Sequence, residues 1–264
     1  MPKKTRDRHL AKQAARRQAE KLQRKRQRSA GIGIGVGLGA AVIGILAVAL
    51  TRGGNEAASP SSSASPTPEV VACGAKVPKD AAVTKPQFAS APRMRIDTDR
   101  TYVATLKTSC GTIVVQLDAA QAPKTVNSFV FLARKGFFDG TRFHRLDTSI
   151  DVIQAGDPTG TGTGGPGYTI PDEATGDEKY TPGVVAMARS NAPNSGGSQF
   201  FIITGPKGKT LSPNYTIFGR VIEGLDVAKR IQDLPIRDPS GGFSGQQPQQ
   251  SVYIEKVTIT VRPA

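Results

Sequence analysis

Beyond residue 99 the chain has a single histidine, His144, and its only two cysteines are Cys73 and Cys110. That inventory narrows the chemistry. Neither a Ser-His-Asp triad nor a two-histidine metal site can be assembled from local pattern. His144, inside the run RFHRL, reads as a structural histidine of a strand rather than a general base. The spacing of the two cysteines fits no tetrahedral zinc site; no metal and no other cofactor is expected. Two glycine runs resemble phosphate cradles. GTGTGG (160–165) matches G-x-G-x-x-G letter for letter, but PGYTIPDE follows it, with prolines where a helix must begin. It reads as a glycine-rich surface loop. GIGIGVGLG (31–39) follows no strand, and its glycines fall out of register with the motif. What remains is one arginine, two amides and apolar surface: Arg145, Gln154, Gln199 and Phe201. By themselves these are unspecific, and pattern alone indicates no more than a β-barrel on the secreted side.

The elements that must position them are mostly strands. RTYVATLKT (100–108) and TIVVQLD (112–118) flank the turn SCG as a hairpin. APKTVNSFVFLARKG reads as a helix, with Pro123 in its first turn, Val126, Phe129, Val130 and Ala133 on one face, and Gly136 at its end. Further strands are expected at 142–146, 151–156, 183–189, 199–204, 216–221 and 252–261, with a short helix in GLDVAKRIQDL. Eight strands and two helices without regular βα alternation predict a mainly β fold, a closed eight-stranded antiparallel barrel capped by two α-helices.

The other end of the chain has a different character. Net charge is +14, and residues 1–29 hold twelve basic residues against Asp7 and Glu20. Residues 29–51 carry no charge, long enough for a transmembrane helix of roughly 20 residues. Gly31, Gly35 and Gly39 lie four apart, a face on which a second helix could pack. The basic flank predicts a cytoplasmic tail (1–29), a single membrane span (30–51) and an extracytoplasmic remainder; a cleaved signal peptide is the rival reading. The tail then touches anionic lipid, and no nucleic acid partner is expected. A Ser/Pro-rich linker (52–72) and an irregular extension (73–98) lead to the domain at 99–264. Outside the membrane Cys73 and Cys110 can form a disulfide that ties the extension to the first hairpin; two independent thiols are the alternative.

FHR (143–145), VIQAGDPTGTGTGGPGY (152–168), MARSNAPNSGGSQFFI (187–202) and YTIFGRVIEGLDV (215–227) occur in this order, after TSCGTIVVQLD and APKTVNSFVFLARKGFFDG. Together they resemble a cyclophilin-type peptidyl-prolyl cis-trans isomerase, from about residue 100 to 262. The long glycine loop is similar to that of bacterial, especially actinobacterial, membrane-anchored members. The resemblance implies the capped barrel and acceleration of X-Pro bond rotation in proline-containing peptides or unfolded exported proteins, a role in assisting folding. It assigns Arg145 as the catalytic residue. It assigns Val152, Phe201 and Leu211 to the proline pocket, Gln154 and Gln199 to the peptide backbone, and Ala188, Arg189 and Tyr215 to further substrate contacts.

Three departures accompany it. Ile150-Asp151 precede Val152 where the family usually has an aromatic residue. Thr210 stands where many relatives carry tryptophan, which implies weak cyclosporin binding. Tyr215 stands where many carry histidine. Reduced but real isomerase activity is therefore expected. The competing reading is a non-catalytic proline-peptide-binding module or chaperone at the membrane, which Asp151 in the pocket would favour.

Overall fold

The computed structural model describes residues 69–263. The basic tail, the apolar stretch and the linker up to residue 68 lie outside the described residues. Among the described residues no helix is long and apolar enough to cross a membrane.

Among the described residues nine strands form one antiparallel sheet. They are β1 (Thr101–Thr108), β2 (Gly111–Leu117), β3 (Thr141–Arg142), β4 (Arg145–Asp147), β5 (Val152–Ala155), β6 (Val184–Met187), β7 (Phe200–Ile203), β8 (Ile217–Glu223) and β9 (Tyr253–Arg262). Their order is β3-β9-β1-β2-β8-β6-β7-β5-β4. This corrects the expected closed eight-stranded barrel in two ways. The stretch 142–146, read as one strand, divides into β3 and β4. The ladder order is also open, because no ladder joins β3 to β4 among the described residues. The physical reason is local. The Phe143 amide donates to Val252 O on the β9 side (2.9 Å), whereas the next amide, His144, donates to Gln154 O on β5 (3.0 Å). One stretch of backbone thus changes partner mid-course and serves as both edges of the sheet.

Helix α1 (Pro123–Arg134) follows β2, α2 (Leu225–Gln232) follows β8, and a four-residue α3 (Gly242–Gly245) precedes β9. The apolar face read for α1 is buried at Val126, Phe129, Val130 and Ala133. Its first turn has no side-chain cap of its own. Glu173 supplies one from a distant loop, accepting hydrogen bonds from the amides of Lys124 (2.9 Å) and Thr125 (2.8 Å). A carboxylate there satisfies donors that the helix leaves open and meets the positive end of its dipole. The helix stops at Gly136, whose φ of 66° suits glycine. Phe129 stacks on Phe138 at 4.8 Å and meets Phe200 edge-on at 5.5 Å. These rings, with Leu106, Ile113, Leu146, Ile153 and Ile254, fill the main core inside the sheet.

Strands β5, β6 and β7 are buried on both faces, which explains their near-continuous apolar runs. Ile153, Phe200 and Ile202 point to the main core. Their neighbours Val152, Phe201 and Ile203, with Val184, Ala186 and Tyr180, form a second, smaller cluster on the outer face. The period-two alternation of a strand requires this division.

The extension is irregular but docked. It holds two short 3₁₀ turns, Ala72–Gly74 and Lys79–Ala82. A disulfide joins Cys73 to Cys110, S–S 2.01 Å. Among the described residues the docked segment already includes Glu69, inside the stretch read as linker. Its carboxylate accepts from Arg142 (3.1 Å), Tyr253 (2.7 Å) and the Ser251 hydroxyl, and Ala72 behind it is fully buried.

Candidate active site

Register puts three of the singled-out residues in one row. Arg145 on β4 faces Gln154 on β5, and Gln154 faces Phe201 on β7. Directly opposed residues of antiparallel strands project to the same face, here the outer one. Above that row lies an open groove of about 800 Å³. Arg145, Val152, Gln154, Ala188, Arg189, Gln199, Phe201, Leu211 and Tyr215 all line it.

The apolar half is a recess. Phe201 is 4% exposed and Val152 is 2% exposed. Tyr215 meets the Phe201 ring edge-on, centroids 5.3 Å apart. Tyr180, unremarked in the sequence, fixes this wall from behind: its hydroxyl donates to Tyr215 O (3.0 Å) and accepts from the Tyr215 amide (2.9 Å). Burial pushes its phenol up to about 12, so it stays protonated and able to donate.

Asp151 is absent from the groove. It sits at φ 51° in the turn between β4 and β5. Its carboxylate turns outward to the Lys207 amide (2.9 Å) and ammonium (3.5 Å). Ile150 takes the lining position instead. The expected intrusion of Asp151 into the pocket is thereby corrected: the left-handed turn swings that side chain away from the strand face. Thr210 also lies off the groove lining, its hydroxyl donating to Lys207 O (2.8 Å).

At the polar half a chain of hydrogen bonds holds Arg145. Nη2 pairs with Asp147 Oδ2 at 2.5 Å, Nη1 donates to Gln154 Oε1 at 3.2 Å, and Nε donates to Gln246 Oε1 at 2.6 Å. The Phe243 ring lies 5.5 Å from Cζ, a cation–π distance. Three acceptors from three segments and one ring face restrict a side chain that is otherwise long and mobile. Gln154 continues the chain by donating to Gln199 Oε1 (2.9 Å). Gln199 in turn donates to the carbonyls of Gly162 (3.0 Å) and Gly164 (2.8 Å). The Arg189 guanidinium is turned away, toward Ala192 O (2.9 Å) and Asp172 (3.3 Å).

The glycine loop does cradle an anion, but an internal one. Asp157 Oδ2 accepts from the amides of Gly162 (2.5 Å) and Gly164 (3.2 Å), and Oδ1 accepts from the Thr159 amide (2.7 Å). Burial works to raise this carboxyl; the hydrogen bonds from Thr159 and Gly164 outweigh it and hold the group below its usual range. The amides a phosphate would need are therefore occupied. His144 is 3% exposed and does not line the groove. Burial is the main cause that lowers its pKa, against the opposing charge of Asp157.

Sequence reasoning missed Asp147, Tyr180, Phe243 and Gln246. Phe243 carried a readable signal, an isolated aromatic residue in a Gly/Gln-rich segment. Tyr180 and Gln246 gave none, because their partners are distant in the chain; Asp147 lies only two residues from Arg145 on the same strand, so alternation could have paired them.

Comparison with known proteins agrees with this geometry. The family model described as "Cyclophilin type peptidyl-prolyl cis-trans isomerase/CLD" matches residues 103–259. Human "Peptidyl-prolyl cis-trans isomerase-like 1" is 43% identical over 144 residues, covering 50% of this chain and 85% of the relative. "Probable peptidyl-prolyl cis-trans isomerase B" of Mycobacterium tuberculosis is 37% identical over 181 residues, covering 62% of this chain and 57% of the relative. A crystal structure of a Cryptosporidium parvum cyclophilin type peptidyl-prolyl cis-trans isomerase superposes with a TM-score of 0.54 at 29% identity, covering 62% of this chain and 99% of the other. A second structure of that protein, in the presence of the dipeptide Ala-Pro, gives 0.53 at 30% identity, covering 60% and 98%. The chain belongs to the cyclophilin-type peptidyl-prolyl cis-trans isomerase family and is a peptidyl-prolyl cis-trans isomerase.

Proposed function

We propose that the groove binds a proline-containing peptide with the proline ring in the recess of Val152, Phe201, Leu211 and Tyr215, and that Arg145 is the catalytic residue. Rotation about an X-Pro bond faces a barrier of about 18–20 kcal/mol and breaks no bond. A nucleophile is therefore unnecessary. What must be stabilised is a twisted amide whose nitrogen has regained its lone pair. A fixed cation that donates to that nitrogen favours the twisted state over the planar one. Arginine suits the task because it stays charged and presents several donors in a rigid fork. A ~10⁴-fold acceleration needs about 5–6 kcal/mol of such selective stabilisation. Gln154 and Gln199 hold the peptide backbone, with the Ala188–Arg189 segment along the opposite side.

The observation that carries this reading is the row Arg145–Gln154–Phe201 across three neighbouring strands, which sets a restrained cation beside an apolar recess. The C. parvum relative studied with Ala-Pro lends it support. The cellular setting we infer is extracytoplasmic. The uncharged stretch 30–51 anchors the chain as in membrane-bound bacterial, actinobacterial-like members, the basic tail stays in the cytoplasm against anionic lipid, and the clients are exported proteins whose folding the enzyme assists. The disulfide between Cys73 and Cys110 suits an oxidising compartment. Cyclosporin binds weakly, since Thr210 replaces the expected tryptophan.

Titrating the full chain with an Ala-Pro peptide and its Ala-Gly counterpart tests the binding reading. Saturable binding of the first alone supports it, and equal binding of both overturns it. Protease added outside intact cells should degrade the domain and spare the tail; a protected domain would overturn the topology.

A further inference from the structure

The extension before the family domain reaches the groove. Residues 69–98 precede the first residue matched to the family, 103, yet Gln87 lines the groove. Its amide Nε2 donates to Gly165 O at 2.9 Å. The next amide, Phe88, donates to Pro166 O at 2.8 Å. The Phe88 ring wedges between α1 and the loop, 4.9 Å edge-on from Phe131 and 6.4 Å from Tyr168. The contact is close: a Cβ on Gly167, which sits at φ 92°, would lie 2.7 Å from Phe88 O.

The loop these contacts hold is hard to order. Five of the eight residues from 160 to 167 are glycine, and glycine gives up more backbone freedom on ordering than any other residue. Asp157 and Gln199 fix its Gly162–Gly164 part, as described above. The carbonyls of Gly165 and Pro166 have their hydrogen bonds, among the described residues, only from the extension. The same loop backs Gln199, which backs Gln154 and through it Arg145.

We propose that Gln87 and Phe88 form a brace that presets the glycine-loop wall of the peptide groove. In this role Phe88 is the positioning residue, and Gln87 contributes its amide oxygen, which accepts no hydrogen bond among the described residues, to the subsite that receives the peptide backbone beyond the X-Pro pair. This deepens, and rests on, the reading of the groove as a proline-peptide site. A covering role alone, in which the extension merely shields Phe131, would leave catalysis untouched. A preset wall acts on peptide affinity, because a loop that must be ordered by the substrate weakens binding.

The test uses the full chain with Phe88→Ala, Phe88→Leu and Gln87→Ala, read by steady-state isomerisation of a proline tetrapeptide and by amide hydrogen exchange across 160–168. Phe88→Ala should raise KM about tenfold with kcat within twofold and speed exchange in the loop. Gln87→Ala should raise KM about threefold, and Phe88→Leu should restore most of the loss. Unchanged KM and loop exchange in Phe88→Ala would overturn the brace. So would a fall in kcat alone. If Phe88→Ala does not fold, Gln87→Ala decides: raised KM with faster exchange in the loop supports the brace, and unchanged exchange in the loop overturns it. Wild-type chain that fails to accelerate the peptide would refute the groove reading instead, while loop exchange would still test the brace.

Discussion

Arg145 is presented to the groove by Asp147, and removing that carboxylate should disarm the enzyme without touching the groove itself. The Asp147 side chain is 4% exposed and the Arg145 side chain 24%. Asp147→Ala deletes the 2.5 Å pair with Nη2 together with two hydrogen bonds from Ser149, from its hydroxyl (2.6 Å) and its amide (3.0 Å). Charge-assisted hydrogen bonds of this kind contribute roughly 1.5–3 kcal/mol each in favourable settings. Arg145 can recover part of its hydration at the groove mouth, so the net stability loss should be about 2–3 kcal/mol. The effect on rate should be larger than that figure suggests for a residue that never meets substrate. Misplacing a reacting group by about 1 Å can cost ~10²-fold, or about 2.7 kcal/mol of activation free energy. Gln154 and Gln246 still hold the guanidinium, so a 10- to 100-fold fall in kcat is expected with little change in KM. Coupling to Arg145 is the sharper criterion. In an Arg145→Ala background, Asp147→Ala should lower kcat/KM by less than about twofold, because it acts only through the arginine. Wild-type kcat in Asp147→Ala, or losses that add in the double variant, would refute this account of how Arg145 is aimed.

Two further outcomes follow from the fold. The disulfide closes a separation of 37 residues, and chain-entropy arithmetic puts its contribution at no more than about 4 kcal/mol. Cys73→Ser/Cys110→Ser should lower Tm by several degrees and by no more than about 16 °C, and an unchanged Tm in calorimetry would show that the disulfide stabilises nothing. His144 is held below its ordinary pKa of 6.5, chiefly by burial. The unfolded chain therefore binds the proton more readily, and stability is fully present above about pH 6.5 and lost as pH falls below it. Asp157 and Glu69 are also held low, but from ordinary values of 3.8 and 4.5, so their loss comes at more acid pH. Tm measured from pH 8 to 5 should decline for wild type and decline less for His144→Gln; parallel curves would contradict the assignment.

Much of the fold was legible because its signals are local. The face of α1 follows from the spacing of Val126, Phe129, Val130 and Ala133, and the hairpin follows from alternation about SCG. The division of 142–146 into two strands was not legible, since Phe143 and His144 look alike in pattern but find partners on opposite edges. The row Arg145–Gln154–Phe201 is a matter of register, which no single strand encodes. The role of Arg145 was reached through resemblance; Asp147, two residues along the same strand, was within reach of strand alternation, whereas Gln246 emerges only when the chain is folded. Asp151 misled in the other direction. Its place beside Val152 put it in the pocket on paper, and a left-handed turn takes it out.

The central claim is that Arg145 supplies the cation that lowers the barrier to X-Pro rotation. The direct measurement is cis-trans exchange of an Ala-Pro peptide by the full chain and by Arg145→Ala, at matched occupancy of the groove. The account predicts that the variant still binds the peptide within a few-fold and exchanges it at least about 100-fold more slowly. Equal exchange rates at equal occupancy would contradict it.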